Sequence, residues 1–172
     1  MKRFSIRSSF AYPKSKWCYA NSQGMANTFK AEVMTGIHAL GPGTGVPART
    51  ISTPDTVKAA LFLASGSRGP GDATYSVTSE MSGTGYTAGG VTVTMANAPH
   101  LDTTTGCFTP SASFQWTGFT SAGAFDCCMM YNSSQGNKNI AVFTFGSQNI
   151  TSGTFTLTMP SDVAATALLR IA

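Results

Sequence analysis

Residues Glu80 to Thr94 read EMSGTGYTAGGVTVT. Gly83, Gly85, Gly89 and Gly90 crowd into this stretch and run straight into the alternating Val91, Thr92, Val93 and Thr94. A glycine run of this kind either cradles a phosphate or relieves the backbone at a tight corner. A dinucleotide fingerprint needs strand, glycine loop and then helix, whereas the residues that follow here alternate with a period of two. The order G-x-G-x-x-x-G-G also departs from G-x-G-x-x-G, and no lysine follows as in a P-loop. The stretch therefore reads as a corner between strands where glycine supplies positive φ, with Tyr86 lying across the turn.

The same period extends outward on both sides. Residues 56–63, 74–81, 91–95, 111–117, 125–131, 140–145, 154–159 and 167–171 are rich in Val, Ile, Thr, Phe or Tyr and read as strands. Gly, Pro, Asn and Ser punctuate the gaps. Ahead of them Asn27 to Leu40 fits one short helix, capped by Asn27 or Thr28, with Phe29, Val33, Met34 and Ile37 at helical spacing. Gly41, Pro42 and Gly43 end it. The expected fold is all-β: an antiparallel β-sandwich or jelly roll of about eight strands, with a short N-terminal helix and an extended N-terminal arm. Residues 1–26 are the arm and residues 27–172 the domain.

Composition departs from that of a typical soluble domain. Hydrophobic residues make up 42% of the 172, but charged residues only 10%, against roughly 25% in a typical domain. Solubility then rests on Thr, Ser, Asn and Gly, which suits a chain packed among neighbours. The net charge of +4 is unevenly placed. Lys2, Arg3, Arg7, Lys14, Lys16 and Lys30 lie in the first 30 residues without a single acid, and the rest of the chain carries five bases against seven acids. A basic arm ahead of a weakly acidic body seeks an acidic partner. No run of 18 apolar residues is present, so no membrane helix is expected. The start MKRFSIRSSF lacks the apolar core of a secretory signal, and Cys18, Cys107, Cys127 and Cys128 are expected as reduced thiols.

In the arm, Phe4, Phe10, Tyr12, Trp17 and Tyr19 interleave with the bases. Such a pattern can stack on single-stranded nucleic acid while contacting phosphates. It can equally be an extended arm whose aromatics fill pockets on a protein neighbour. The second reading is preferred, because a short segment lacks the sheet platform of stacking modules. The candidate contact residues are Lys2, Arg3, Arg7, Phe10, Tyr12, Lys14, Lys16 and Trp17.

Catalytic signals are sparse. Glu32 and Glu80 are the only glutamates, and no carboxylate spacing suggests a glycosidase pair. HLDTTTGC places His100, Asp102 and Cys107 on one loop, whereas the parts of a nucleophilic triad normally converge from different elements. Cys107 and Cys128 read as small apolar packing residues. Adjacent Cys127 and Cys128 would point to opposite faces of a strand and do not have zinc-site spacing. His38 lacks a partner His or Cys one turn away and reads as a core or surface histidine. Asn132 and Asn149 match the glycosylation sequon but read as turn residues. No metal, cofactor or phosphate signal remains.

SEMSGTGYTAGGVTVT, together with the preceding DTVKAALFLAS, resembles a segment of small structural proteins of tailed bacteriophages. The ending IAVFTFGSQNITSGTFTLTMPS, followed by TALLRI, is similar to the ending of the same proteins. The resemblance covers residues 27–172 and leaves out the arm. It implies a non-enzymatic virion component, a β-sandwich bound to capsid or tail, and it carries no site residues. The expectation is a capsid cement (decoration) protein on the capsid exterior. Its partner would be the major capsid protein, its assembly a homo-oligomer with a trimer favoured, without membrane or nucleic-acid contacts. The alternative is a tail or fibre component whose glycan-binding jelly roll exposes Trp116 or Tyr131 for stacking. The alternation in FQWTGF instead places Trp116 in the core.

Overall fold

The computed structural model describes residues 20–42 and 53–172. Its centre is the apolar run VKAALFL, which forms strand β2 (Val57–Leu63). The run has almost no polar alternation because the strand is buried on both faces. Val57, Ala59 and Leu61 enter one apolar cluster, and Ala60 and Phe62 enter another on the opposite side. β8 (Phe125–Asn132) lies antiparallel beside it and divides in the same way, with Cys128 on the first side and Cys127 on the second. The adjacent cysteines thus face opposite ways, as period two requires.

These strands belong to a five-stranded antiparallel sheet in the order β1 (Gly24–Met25), β9 (Lys138–Gln148), β8, β2 and β4 (Val91–Thr92). A second sheet runs β10 (Gly153–Leu157), β7 (Phe114–Ser121) and β3 (Gly83–Thr84). A third runs β11 (Leu169–Ile171), β6 (Thr105–Phe108) and β5 (His100–Asp102). Phe114, Trp116 and Phe119 of β7, Phe155 of β10, Phe108 of β6 and Leu169 of β11 all join the first face of the large sheet in one cluster. Phe125 meets Phe155 edge-on at 4.9 Å and Phe119 at 5.6 Å, the arrangement aromatic quadrupoles favour. The described residues are therefore mostly β, in three antiparallel sheets with one short α-helix.

Among the described residues the strand count is eleven where sequence periodicity gave about eight. The additional strands β1, β3, β5 and β6 have two to four residues each, too short for alternation to register. Residues 74–81 are not a strand. They make only the isolated bridges Thr74↔Lys138 and Phe62↔Glu80, and Ser79 takes φ 58°. TYSVTSEM alternates, but Val77 points to solvent at 67% exposure while Tyr75 stacks flat on Tyr131 at 4.3 Å. The segment covers the second face of the large sheet without extending it.

Helix α1 (Asn27–Met34) is also shorter than expected. Gly36, at φ 68°, ends it. Gly36 N–H donates to Val33 O and Ile37 N–H to Glu32 O, a Schellman closure that satisfies the last carbonyls. The N-cap position is Ala26, without a side-chain cap; its N–H donates to Ile140 O, and Asn27 N–H donates to Pro70 O.

The glycine stretch joins β3 to β4. At Gly83 (φ 135°) a Cβ would lie 1.9 Å from Thr120 O, and at Gly90 (φ 74°) 1.9 Å from Ala59 O. Both positions combine left-handed backbone with close approach of a neighbouring strand. Tyr86 does lie across this corner: its hydroxyl accepts from Leu61 N–H at 3.0 Å and donates to Glu80 Oε1 at 2.8 Å. Leu61 N–H is thus satisfied by a side chain. Tyr86→Phe should leave that donor unpaired and lower stability by about 1–3 kcal/mol. Urea denaturation should show a lower midpoint at unchanged slope; an unchanged midpoint would contradict the assignment.

Candidate functional site

The chain's two glutamates are both hubs. Glu80 accepts from Tyr86 through Oε1, from Tyr75 through Oε2 at 2.5 Å, and from Gly89 N–H at 2.7 Å. Tyr131 donates to Gly89 O at 2.8 Å, closing the network around the glycine corner. Burial first, and then the Glu80 charge, pushes the Tyr131 phenol up to about 12. The same causes hold the Tyr75 and Tyr86 hydroxyls protonated as donors.

Glu32 forms the second hub. Lys138 Nζ donates to Oε1 at 2.6 Å and His38 Nε2 lies 2.8 Å from Oε2. Asn132 Nδ2 is 3.0 Å from His38 Nδ1 and 2.7 Å from Asp55 Oδ2, and Asp55 also accepts from Ala39 N–H and Gln135 Nε2. Because Asn132 Oδ1 accepts from Ser134 N–H, its amide nitrogen is the group facing His38. His38 Nδ1 then accepts and Nε2 donates. Burial raises the Glu32 carboxyl, but the Lys138 and His38 hydrogen bonds and the Lys138 charge together bring it below its ordinary 4.5. Burial likewise opposes, and the donors outweigh it, at Asp55, which falls below 3.8. The chain of contacts fastens α1, residues 38–39 and residues 55–56 to the turn between β8 and β9 and the strand ends beside it. His38 is a core histidine, with a side chain 1% exposed, and not one satisfied by solvent. Asn132 of the first sequon is fully buried.

His100 and Cys107 face each other across the β5–β6 hairpin. Their chemistry does not converge, however. His100 Nδ1 lies 3.6 Å from Asp162 Oδ2, and Cys107 Sγ donates to Thr105 O at 3.4 Å. Burial first, then the charges of Asp102 and Asp162, raise the Cys107 thiol. Burial pushes Cys127 up to about 12 and Cys128 well above its ordinary value. As thiolate is the reactive form, alkylation of the folded chain at pH 8 should leave Cys107, Cys127 and Cys128 unmodified by mass spectrometry, and unfolding should expose all three. Native labelling of Cys107 would contradict this.

Trp116 and Tyr131 are each 2% exposed. The glycan-stacking platform considered for a fibre protein is therefore corrected: both rings are core. The eight arm residues Lys2, Arg3, Arg7, Phe10, Tyr12, Lys14, Lys16 and Trp17 lie outside the described residues. The described chain meets the body at Asn21, whose Nδ2 donates to Leu63 O and Asp126 Oδ1 and whose Oδ1 accepts from Arg68 N–H. Beyond it Gln23, Gly24 and Met25 line a groove of about 570 Å³, together with residues of β9 such as Phe143 and of the C-terminal stretch such as Leu168 and Arg170.

Sequence reasoning missed both glutamate hubs. Glu32 and Lys138 are 106 positions apart, and no local spacing announces such a pair. The available signal was scarcity, since a chain with two glutamates in 172 residues places each where it has partners. Among the described residues no group of three His, Cys, Asp or Glu side chains is arranged to hold a metal ion, and no helix is long and apolar enough to cross a membrane. Comparison of the chain with protein-family models, with curated proteins and with solved structures finds no match.

Proposed function

We propose that the chain is a structural virion protein of a tailed bacteriophage, and within that class a capsid cement protein that binds and stabilises the major capsid lattice from outside. The observation that carries the proposal is the division of charge: six bases and no acid in the first 30 residues, ahead of a body with five bases and seven acids. The resemblance of residues 80–94 and of the C-terminal ending supports the same class. In this reading the body is a β-sandwich of jelly-roll type. The five-stranded sheet is one layer, and the two three-stranded sheets form the other.

The protein acts by binding and not by catalysis. Lys2, Arg3, Arg7, Lys14 and Lys16 meet acidic capsid surface, while Phe10, Tyr12 and Trp17 fill pockets beside them. A surface rich in Thr and Ser forms wet, hydrogen-bonded contacts. Repetition over the lattice turns weak contacts into firm attachment by avidity, and trimers would sit at local three-fold positions. The tail or fibre alternative loses its aromatic platform, because Trp116 and Tyr131 are buried.

Co-sedimentation with empty capsid shells tests the reading. Changing Lys2, Arg3, Arg7, Lys14 and Lys16 together to Gln should weaken binding at least about tenfold, and added salt should weaken the unaltered chain in the same direction. Equal binding of both proteins at every salt concentration would count against a basic clamp.

A further inference from the structure

The sheet of β10, β7 and β3 ends in an unguarded strand. Among the described residues nothing pairs with the outer edge of β10. Natural sheets protect such edges with charge, proline or a bulge, and β10 has none of these. The chain from Phe143 to Ser161 contains no charged residue, and neither do β7 and β3. The register sets Gly153 and Phe155 opposite Phe119 and Trp116, so the extra residue belongs to β7, beside left-handed Gly118. β10 itself runs unbroken.

Met159 N–H donates to Ser113 Oγ, just ahead of β7. By the alternation of an extended strand, Phe155, Leu157 and Met159 turn their backbone groups towards β7, and Thr154, Thr156 and Thr158 turn theirs outward. The side chains alternate as well. Phe155, Leu157 and Met159 pack on the main apolar cluster, the last two only partly buried, whereas Thr154, Thr156 and Thr158 are exposed.

From Thr154 to Thr158 the order is Thr, Phe, Thr, Leu, Thr, which alternates polar and apolar identically in both directions. An antiparallel copy related by a two-fold axis beside Thr156 therefore matches it at every position. Thr156 meets Thr156 of the copy and Thr154 meets Thr158, and their outward N–H and C=O groups supply about six main-chain hydrogen bonds. Between them Phe155 meets Leu157 of the copy, so the half-covered leucines gain apolar neighbours. Threonine pairs and aromatic–aliphatic pairs are favourable across strands. No like charge on this sheet opposes the approach, although the whole chain carries +4.

We infer that two copies of the chain pair through their β10 edges and join their β10–β7–β3 sheets into one continuous antiparallel sheet. The contact is isologous and gives a dimer. It needs no capsid, so its failure would leave the capsid reading untouched. On a capsid it would add a two-fold link to the three-fold arrangement proposed above.

The test uses the full chain in solution, without capsids. Sedimentation velocity over a range of concentrations should show a monomer–dimer equilibrium. Position 156 faces its own copy across the axis. Thr156→Lys and Thr156→Glu should therefore each weaken dimerisation at least about tenfold by setting like charges together. Mixing the two variants in equal amounts should restore the dimer through opposite charges. Thr156 is exposed, so the far-UV circular dichroism of both variants should match that of the unaltered chain. A monomeric unaltered chain, variants that associate as tightly as it does, or a mixture no more associated than its components would each overturn the inference.

Discussion

Replacing Gly90 with alanine should destabilise the fold by about 3–5 kcal/mol, at the upper end of single-residue effects. The backbone there is at φ 74°, and the added carbon would sit 1.9 Å from Ala59 O and 2.5 Å from Ala59 C. Both obstructing atoms are main chain in β2, so no rotamer change relieves the overlap. β4 would have to move off β2, taking with it Gly89, which donates to Glu80 and accepts from Tyr131. Gly118 supplies the control. It is also left-handed, at φ 61°, but a Cβ there has no atom within 4 Å. Gly118→Ala should therefore cost only the conformational term, about 1–2 kcal/mol. Equal denaturation midpoints for the two variants would show that the close approach at Gly90 does not matter.

Glu32→Gln should cost about 3 kcal/mol at neutral pH. Breaking a buried ion pair typically costs about 3–5 kcal/mol; the lower end applies because the Lys138 side chain is 33% exposed. Two donors, Lys138 Nζ and His38 Nε2, would lose their anion. The pH dependence follows from the direction of the shift. The Glu32 carboxyl is held below 4.5 in the folded chain, so its contribution is fully present above that value and fades as pH falls through the lowered one. The stability gap between the natural chain and Glu32→Gln should be widest near pH 7 and narrow steadily below pH 4.5. A gap that stays constant down to pH 3 would mean that the carboxylate is not what the pair contributes.

The parts of the fold legible in the sequence are those where burial repeats over many residues. Residues 56–63, 125–131 and 140–145 show this as dense apolar runs, and strands of the large sheet cover all of them but Thr56. Trp116 was legible as core because FQWTGF alternates within one strand. The misleading stretch was residues 74–81, whose alternation belongs to a cover pinned by Tyr75 on Tyr131 and by Glu80. The end of α1 was misplaced because Ile37 and Leu40 continue a helical spacing that Gly36 interrupts. At the candidate site, His100, Asp102 and Cys107 read as parts of one loop, whereas the chain there forms the β5–β6 hairpin with His100 opposite Cys107, in strands too short for alternation to register. The long-range polar contacts, Glu32 with Lys138 and Asn21 with Asp126, had no local pattern to betray them. The groove was invisible for the same reason, since its lining joins residues 23–25, 105, 141–143 and 160–172.

The central claim is that this is a lattice protein present wherever the major capsid protein is. Its most direct test is the copy number of the chain in purified particles of the virus that encodes it, by quantitative mass spectrometry against the major capsid protein. The account predicts a molar ratio near one. A ratio of a few per cent would contradict it and place the protein in the tail or a fibre.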